Sequence, residues 1–370
     1  MLHVAAQQAL WLPNVGAEFT LGENKIPEPG PGEILVKLEA SAINPIDWKI
    51  QKEGFFLVKK YPTIIGENGS GIVAKVGDEV THFATGDRVT FASPFDSKYG
   101  GAYQQYCLAD AELASKVPDN ISFDEAAPIT CCLSPFAVAT YAEHPRGMGF
   151  TPPFETGGLG KYANQPIVIM GGACSVGQYG TVAFLSNDVH IDSLSCNAGI
   201  QLAKLSGFNP IITTASPKNK DLLHSLGATH VFDRKLPADA LKDQVTNFVK
   251  APIRYIFDAV SLRETKYAAY NLLAPGGTLA LVAQNFFTED EVRQKNILIV
   301  YGSFHILENR ALGVEFATAL TTWLAEGKIK PNPVQVLPGG LGGIVDCLKE
   351  LETNCVSAKK FVVRPQETRA

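Results

Sequence analysis

This 370-residue sequence has no block of Lys and Arg, and its 37 acidic residues outnumber its 32 basic ones for a net charge of -5. That balance argues against a nucleic-acid or anionic-membrane partner. No apolar run reaches the roughly 18 residues that span a bilayer. The opening stretch MLHVAAQQALWLPN lacks the basic region and long apolar core of a secretory signal. Cysteine is sparse and unpatterned: Cys107, Cys131, Cys132, Cys174, Cys196, Cys347 and Cys355 form no C-x-x-C pair and are odd in number. Reduced thiols in a cytoplasmic protein are expected, not a disulfide framework. There is no internal repeat and no low-complexity tail.

What the chain does have is apolar content, 46% of residues, enough to fill two cores. The first 125 or so residues are rich in strands and turns. GEILVKLEASAIN alternates Ile34, Val36 and Leu38 in period two. GSGIVAKVGDEVTHFATGDRVTF breaks β-branched runs with Gly-Asp turns, the pattern of a small β-barrel. Ser122 and Glu125 then stand in capping-box spacing at the head of an Ala-rich helix. After a loop rich in Gly and Pro (145–165), PIVIMGG reads as a buried parallel strand. Strand–helix alternation continues through NPIITTAS, KDLLHSLGA, HVFD, RYIFDAV and TLALVAQ, which predicts a doubly wound α/β domain. The expected division is 1–125, 126–305 and a closing segment 306–370 that returns to the first domain.

Gly171, Gly172 and Gly177 follow a predicted strand and open a predicted helix. Glycines there let backbone N–H groups approach a pyrophosphate at the positive end of a helix. The match to G-x-G-x-x-G is partial, because Cys174 occupies the middle glycine; a tight βα turn without a ligand is the competing reading. The second strand ends in Thr214-Ala215-Ser216, followed by Lys218, Asn219 and Lys220. Hydroxyls and lysines at that place suit a 2′-phosphate, whereas an acid would hold a free ribose 2′-OH, so NADPH is expected over NADH. An ordinary solvated helix start remains the alternative for the lysines. Asp192, in VHID, lies about 20 residues past Gly172, where an NAD-type acid is usually sought. That rule presumes an intact intervening helix.

The motifs PGPGEILVKLEASAINPIDWK, GSGIVAKVGDEVTHFATGDRV, GGACSVGQY with IQLAKLSGF, LGATHVFD, APGGTLALV and SAKKFVVR together resemble the medium-chain dehydrogenase/reductase superfamily over nearly the whole chain. INPIDWK and GFNPIITTASPKN look most like its zinc-independent fungal branch, which includes trans-acting enoyl reductases serving polyketide synthases. The resemblance implies a GroES-like β-barrel catalytic domain and a Rossmann NADPH domain. It implies reduction of a carbonyl- or thioester-conjugated C=C bond on a small-molecule or carrier-protein-bound enoyl substrate. Quinone reduction, or cofactor binding without catalysis, are the competing activities. Zinc-dependent members carry a G-H-E-x-x-G stretch; here it reads Gly66-Glu67-Asn68-Gly69-Ser70-Gly71, and Asp47 stands where a cysteine ligand is expected. The four-cysteine lobe is absent too, so no metal is expected. Asn68 also departs from the acid common in zinc-free relatives.

By the same resemblance Lys49 binds or polarises the substrate carbonyl, and Asn44 hydrogen-bonds cofactor or substrate. A surface lysine and a turn-forming Asn-Pro are the plainer readings of these two. Ser134 is the small hydroxyl expected near the nicotinamide, although Pro135 follows it. Cys131 and Cys132 read as small buried apolar groups. Gly171, Gly172, Ser175, Val176, Gly177, Ser216, Asn219, Lys220, Asp258 and Tyr301 make up the expected cofactor set. Asp258 reads equally well as a turn cap.

One stretch breaks the pattern. Removing residues 181–199 joins VGQYG to IQLAK and restores one helix with an apolar stripe through Val176, Ile200, Leu202 and Ala203. The intervening TVAFLSNDVHIDSLSCNAG has no matching period and carries turn-favouring Asn-Asp and Ser-x-Cys-Asn. As continuous helix it would add about 28 Å, which the neighbouring strand could not follow. A retained intron, flush with Gly180 and Gly199, is the first explanation; a surface loop and a new partner site are the others. On the first, this chain binds NADPH more weakly and folds less stably than one without the segment.

Overall fold

The computed structural model describes residues 6–55, 58–94, 100–173, 196–283, 287–352 and 358–369. The chain forms two compact units. The first comprises Met1–Cys131, Gly313–Gly327 and Pro331–Ala370; the second comprises Cys132–Leu312 and Lys328–Lys330.

In the first unit a largely antiparallel sheet runs in the order Val334–Val336, Lys360–Val363, Glu33–Ala42, Asn68–Val76, Arg88–Ala92 and Ser115–Lys116. Tyr106–Asp110 pairs with the first half of Glu33–Ala42. Ile34, Val36 and Leu38 are fully buried against Val73, Val89, Phe91 and Cys107, as their period-two spacing predicts. The strands approach closely at Gly71, where a Cβ would lie 2.0 Å from the Lys37 carbonyl. Only glycine fits there. A second sheet joins Thr20–Lys25, Ala6–Leu12 and Thr63–Ile64. The capping box forms as expected: Glu125 N donates to Ser122 Oγ at 3.3 Å, and Ser122 N donates to Glu125 Oε2 at 2.9 Å.

The second unit is a six-stranded, all-parallel sheet in the order His230–Asp233, Ile211–Ala215, Ile167–Met170, Tyr255–Asp258, Thr278–Leu281 and Asn296–Ile299. Its earliest strand is central, and the chain winds outward to each side, the doubly wound topology read from the sequence. Such sheets bind ligands outside the carboxyl ends of their strands, where the strand order reverses. Here that is between Met170 and Asp258. Val168, Met170, Ile212, Ile256, Leu279 and Leu281 fill the core on one face, against helices Ala238–Phe248 and Arg263–Leu272.

The structure corrects one boundary. Helix Cys196–Leu205 begins within the 181–199 stretch, although Asn197 and Gly199 disfavour helix in isolation. Packing overrides propensity: a Cβ on Gly199 would come within 2.8 Å of the Phe136 ring, so glycine lets this turn lie against that side chain. Ile200, Leu202 and Ala203 are fully buried, as the proposed stripe requires. Ser175, Val176, Gly177 and Asp192 lie outside the described residues. Among the described residues no helix is long and apolar enough to cross a membrane. Cys107, Cys131, Cys132 and Cys347 are buried.

Candidate functional site

The first unit holds a dense buried polar cluster. Asn44 follows the strand Glu33–Ala42 by two residues, and Pro45, with its preset φ, starts helix Pro45–Glu53. That helix is buried on its first turns, so Asp47 and Lys49 point into protein: they are 0% and 1% exposed. The surface-lysine reading of Lys49 is thereby removed. Asp47 Oδ2 accepts from the Asn44 backbone N at 2.7 Å and from Tyr103 Oη at 2.5 Å. Asn44 Nδ2 donates to Asn68 Oδ1 at 3.0 Å, and Lys360 Nζ donates to Asn44 Oδ1. Beside them Cys131 Sγ donates to Glu67 Oε2 at 2.8 Å.

Burial dominates the electrostatics. Desolvation pushes the Asp47 carboxyl up to about 6, against the opposing pull of Tyr103, the Asn44 N–H and the Lys360 charge. It holds Glu67 well above the usual carboxylate range; the Cys131 thiol opposes this and the Asp47 charge reinforces it. Desolvation also pulls the Lys49 ammonium down to about 7, with Glu53 opposing. Four buried polar atoms of the first unit have no hydrogen-bond partner among the described residues: Asp47 Oδ1, Lys49 Nζ, Asn68 Nδ2 and Thr130 Oγ1. Each such atom costs about 1–3 kcal/mol if left so. In a folded protein each such atom calls for a partner.

This cluster does not fit zinc. It offers no imidazole, and its two carboxyl groups already accept from Tyr103, the Asn44 N–H and Cys131. Among the described residues no three His, Cys, Asp or Glu side chains group as a metal site.

In the second unit Gly171 has φ +82° and its N–H donates to Thr214 Oγ1 at 2.9 Å; Gly172 N donates to Thr214 O at 2.8 Å. A Cβ on Gly172 would lie 2.1 Å from Thr213 Oγ1, which itself donates to Ile169 O at 2.6 Å. The neighbouring strand thus clamps the glycine turn from two sides. Both glycine N–H groups are taken up by Thr214. Ser216 closes strand Ile211–Ala215 and caps the 3-10 turn Pro217–Asn219. Asn219 is buried, and Lys218 and Lys220 are exposed on that turn.

The other expected residues fall as follows. Asp258 is fully buried and its carboxyl serves its own turn. Oδ1 accepts from Val260 N at 3.0 Å and Ser261 N at 2.8 Å, and Oδ2 from Thr265 Oγ1 at 2.8 Å. Ser134 is buried on helix Ile129–Tyr141, one residue before Pro135. Gly302 packs on that proline, where a Cβ would stand 2.6 Å from Pro135 Cα, so Ser134–Pro135 and Tyr301–Gly302 are neighbours. The Tyr301 carbonyl accepts from Asn309 Nδ2 at 3.1 Å. Asn44, expected to bind cofactor or substrate, has both ends of its amide engaged by Lys360 and Asn68. Sequence reasoning missed Lys360, Tyr103 and Thr130. A lysine opening an otherwise apolar strand, KFVV, was the available signal for the first.

The alcohol dehydrogenase GroES-like domain model matches residues 30–119, and the zinc-binding dehydrogenase model matches residues 197–321. A trans-enoyl reductase of Aspergillus flavipes, tndF, is 31% identical over 96% of this chain and 98% of its own. Another, grgB of a Penicillium species, is 29% identical over 94% and 96%. Among solved structures, a putative zinc-dependent alcohol dehydrogenase from Rhizobium etli matches with TM-score 0.75 at 21% identity, covering 98% of this chain and 99% of that one. A mycobacterial protein complexed with NADPH matches with TM-score 0.73 at 21% identity, covering 97% and 100%. These two likenesses establish the fold. With the curated relatives they show that this chain, an oxidoreductase, belongs to the medium-chain dehydrogenase/reductase superfamily, in the branch of the fungal trans-enoyl reductases.

Proposed function

We propose that the protein is an NADPH-dependent, zinc-free reductase of carbonyl- or thioester-conjugated C=C bonds, acting in trans on enoyl chains carried by a polyketide synthase. The observation that carries this reading is Lys49: a fully buried lysine whose Nζ has no hydrogen-bond partner among the described residues, on the helix that also carries Asp47. A bound NADPH supplies the hydride. The Gly171–Gly172 turn, with Ser175, Val176 and Gly177 beyond it, receives the pyrophosphate; Ser216, Asn219 and Lys220 receive the 2′-phosphate. Lys49 attracts the carbonyl oxygen, where negative charge develops as the double bond is reduced. Ser134 and Tyr301 supply polar groups toward the nicotinamide. The names of the curated relatives, trans-enoyl reductases, support the enoyl substrate. The reduced thiols suit the cytosol.

The test follows NADPH consumption with crotonyl-pantetheine, crotonyl carrier protein and a benzoquinone, in wild type and Lys49→Ala. Enoyl turnover lost in Lys49→Ala with NADPH binding retained supports the reading. Turnover of the quinone alone overturns it.

A further inference from the structure

We propose that Asn68 is a catalytic residue, its side-chain NH2 donating to the carbonyl oxygen of the enoyl substrate, and that Lys360 is the positioning residue that decides which end of Asn68 faces the substrate.

The argument is one of donor logic along three side chains. A lysine ammonium has three donors and no acceptor. The atom of Asn44 that meets Lys360 Nζ must therefore be the oxygen, Oδ1. This fixes the Asn44 amide, whose Nδ2 then faces Asn68 at 3.0 Å. A donor facing Asn68 requires an acceptor there, so Asn68 presents Oδ1 to Asn44 and is left with its NH2 at the other end. That NH2 is fully buried and donates to nothing among the described residues. Lys360 is itself fully buried on strand Lys360–Val363, so the orienting charge cannot swing away into solvent.

Residue type at 68 decides the output. An acid at this position would end the relay in a second carboxylate oxygen, an acceptor, and beside Asp47 and Glu67 it would repel developing negative charge. Asparagine ends it in a donor. The free end of Asn68 is a pure donor, and the ligand chemistry that suits it is an oxygen carrying negative charge.

The proposal rests on the reductase reading and specifies its substrate contact. Reduction places a hydride on the β-carbon, and the C=C electron pair moves onto the carbonyl oxygen as an enolate. A solvent proton then forms the α C–H bond, and NADP+ is the oxidised product. The Asn68 donor acts on the oxygen as it becomes anionic, so it is worth more in the transition state than in the ground state.

The test combines kinetics with isotope-edited infrared of carbonyl-labelled crotonyl-pantetheine bound to the NADP+-loaded protein. Asn68→Ala and the isosteric Asn68→Asp should each lower kcat roughly 100-fold, leave the NADPH dissociation constant within about twofold, and move the bound carbonyl band to higher frequency. Lys360→Met should lower kcat and move the band the same way, and Lys360→Arg should restore part of both. The double variant Asn68→Ala/Lys360→Met should be no slower than Asn68→Ala alone. A band unmoved by either Asn68 substitution, or a double variant whose losses multiply, overturns the proposal. Wild type that turns over no enoyl substrate, yet shows the Asn68-dependent band shift, keeps the donor and removes the reductase reading. Normal turnover with no band shift does the reverse.

Discussion

Lys360, on the last strand of the chain, donates to the side-chain oxygen of Asn44, 316 residues earlier. The bond closes the first unit's polar cluster from its far end, and strand pairing of Val362 with Ala42 holds it in register. The cluster it completes combines buried charge, unpaired donors and carboxyls shifted by desolvation. Such a cluster lowers stability.

Lys49→Met should therefore stabilise the protein while abolishing turnover. The Lys49 pKa falls from 10.5 in the unfolded chain to about 7 in the fold. Below about 7 both states carry the proton and the folded state bears the full cost of burying it. Between about 7 and 10.5 the folded state sheds the proton first, so the cost fades as pH rises. Thermal melts should show a gain for Lys49→Met on the order of a few kcal/mol at pH 6, shrinking toward pH 10. A loss of stability at pH 6 would contradict the burial account.

The same titration should appear in the rate. If the ammonium form attracts the carbonyl oxygen, kcat should fall as pH rises through about 7. Lys49→Arg, cationic at every accessible pH, should flatten that alkaline limb even where its absolute rate is lower. A wild-type profile level from pH 6 to 9 would exclude this role.

Asp258 should behave as a structural group. Its carboxyl is raised to about 6 by burial, opposed by its N–H and Thr265 partners and by Lys266. Its folded pKa lies above the unfolded 3.8. The cost of ionising it is absent below about 4 and complete above about 6, so this group makes stability decline across that window. Asp258→Ala leaves the Val260 and Ser261 N–H groups and the Thr265 hydroxyl without their acceptor and should cost about 2–4 kcal/mol. Asp258→Asn keeps an acceptor for the two N–H groups, removes the charge, and should be close to wild type at pH 7. Denaturant melts of both variants decide the matter; a harmless Asp258→Ala would return the residue to the cofactor.

Much of the fold is legible in the order of the amino acids. Two parallel strands of the second unit, Ile167–Met170 and Ile211–Ala215, announce themselves as apolar runs that end at Gly171 and Ser216, because strands buried on both faces need no alternation. The Gly172 turn and Ser216 are local features, read from adjacent residues. What stays hidden is non-local or depends on packing. Nothing near Asn44 announces Lys360, and the hydrogen-bonding end of an asparagine is set by its neighbours, not its type. Asp258 carries a capping and a cofactor reading of similar weight, and only the positions of Val260, Ser261 and Thr265 show how its oxygens are used. The start of helix Cys196–Leu205 escapes for a similar reason: Gly199 is a poor helix former whose value lies in the Phe136 ring beside it.

That last contact shapes the prediction for residues 181–199. In the full chain Gly199 supplies the glycine against Phe136, and a Cβ there would intrude to 2.8 Å. Gly199→Ala should destabilise the protein by about 1–3 kcal/mol through overpacking. Deleting 181–199 joins Gly180 directly to Ile200, so a glycine still precedes the buried Ile200-Leu202-Ala203 stripe. The joined helix also runs unbroken from the glycine-rich turn, with a longer dipole and a full packed face. The deletion variant should accordingly melt at a higher temperature than the full chain and gain more from added NADPH. Equal melting of the two chains, with and without NADPH, would show that the segment is accommodated as a loop. Sequencing the transcript across Gly180 and Gly199 would separately establish whether the nineteen codons are spliced out in the cell.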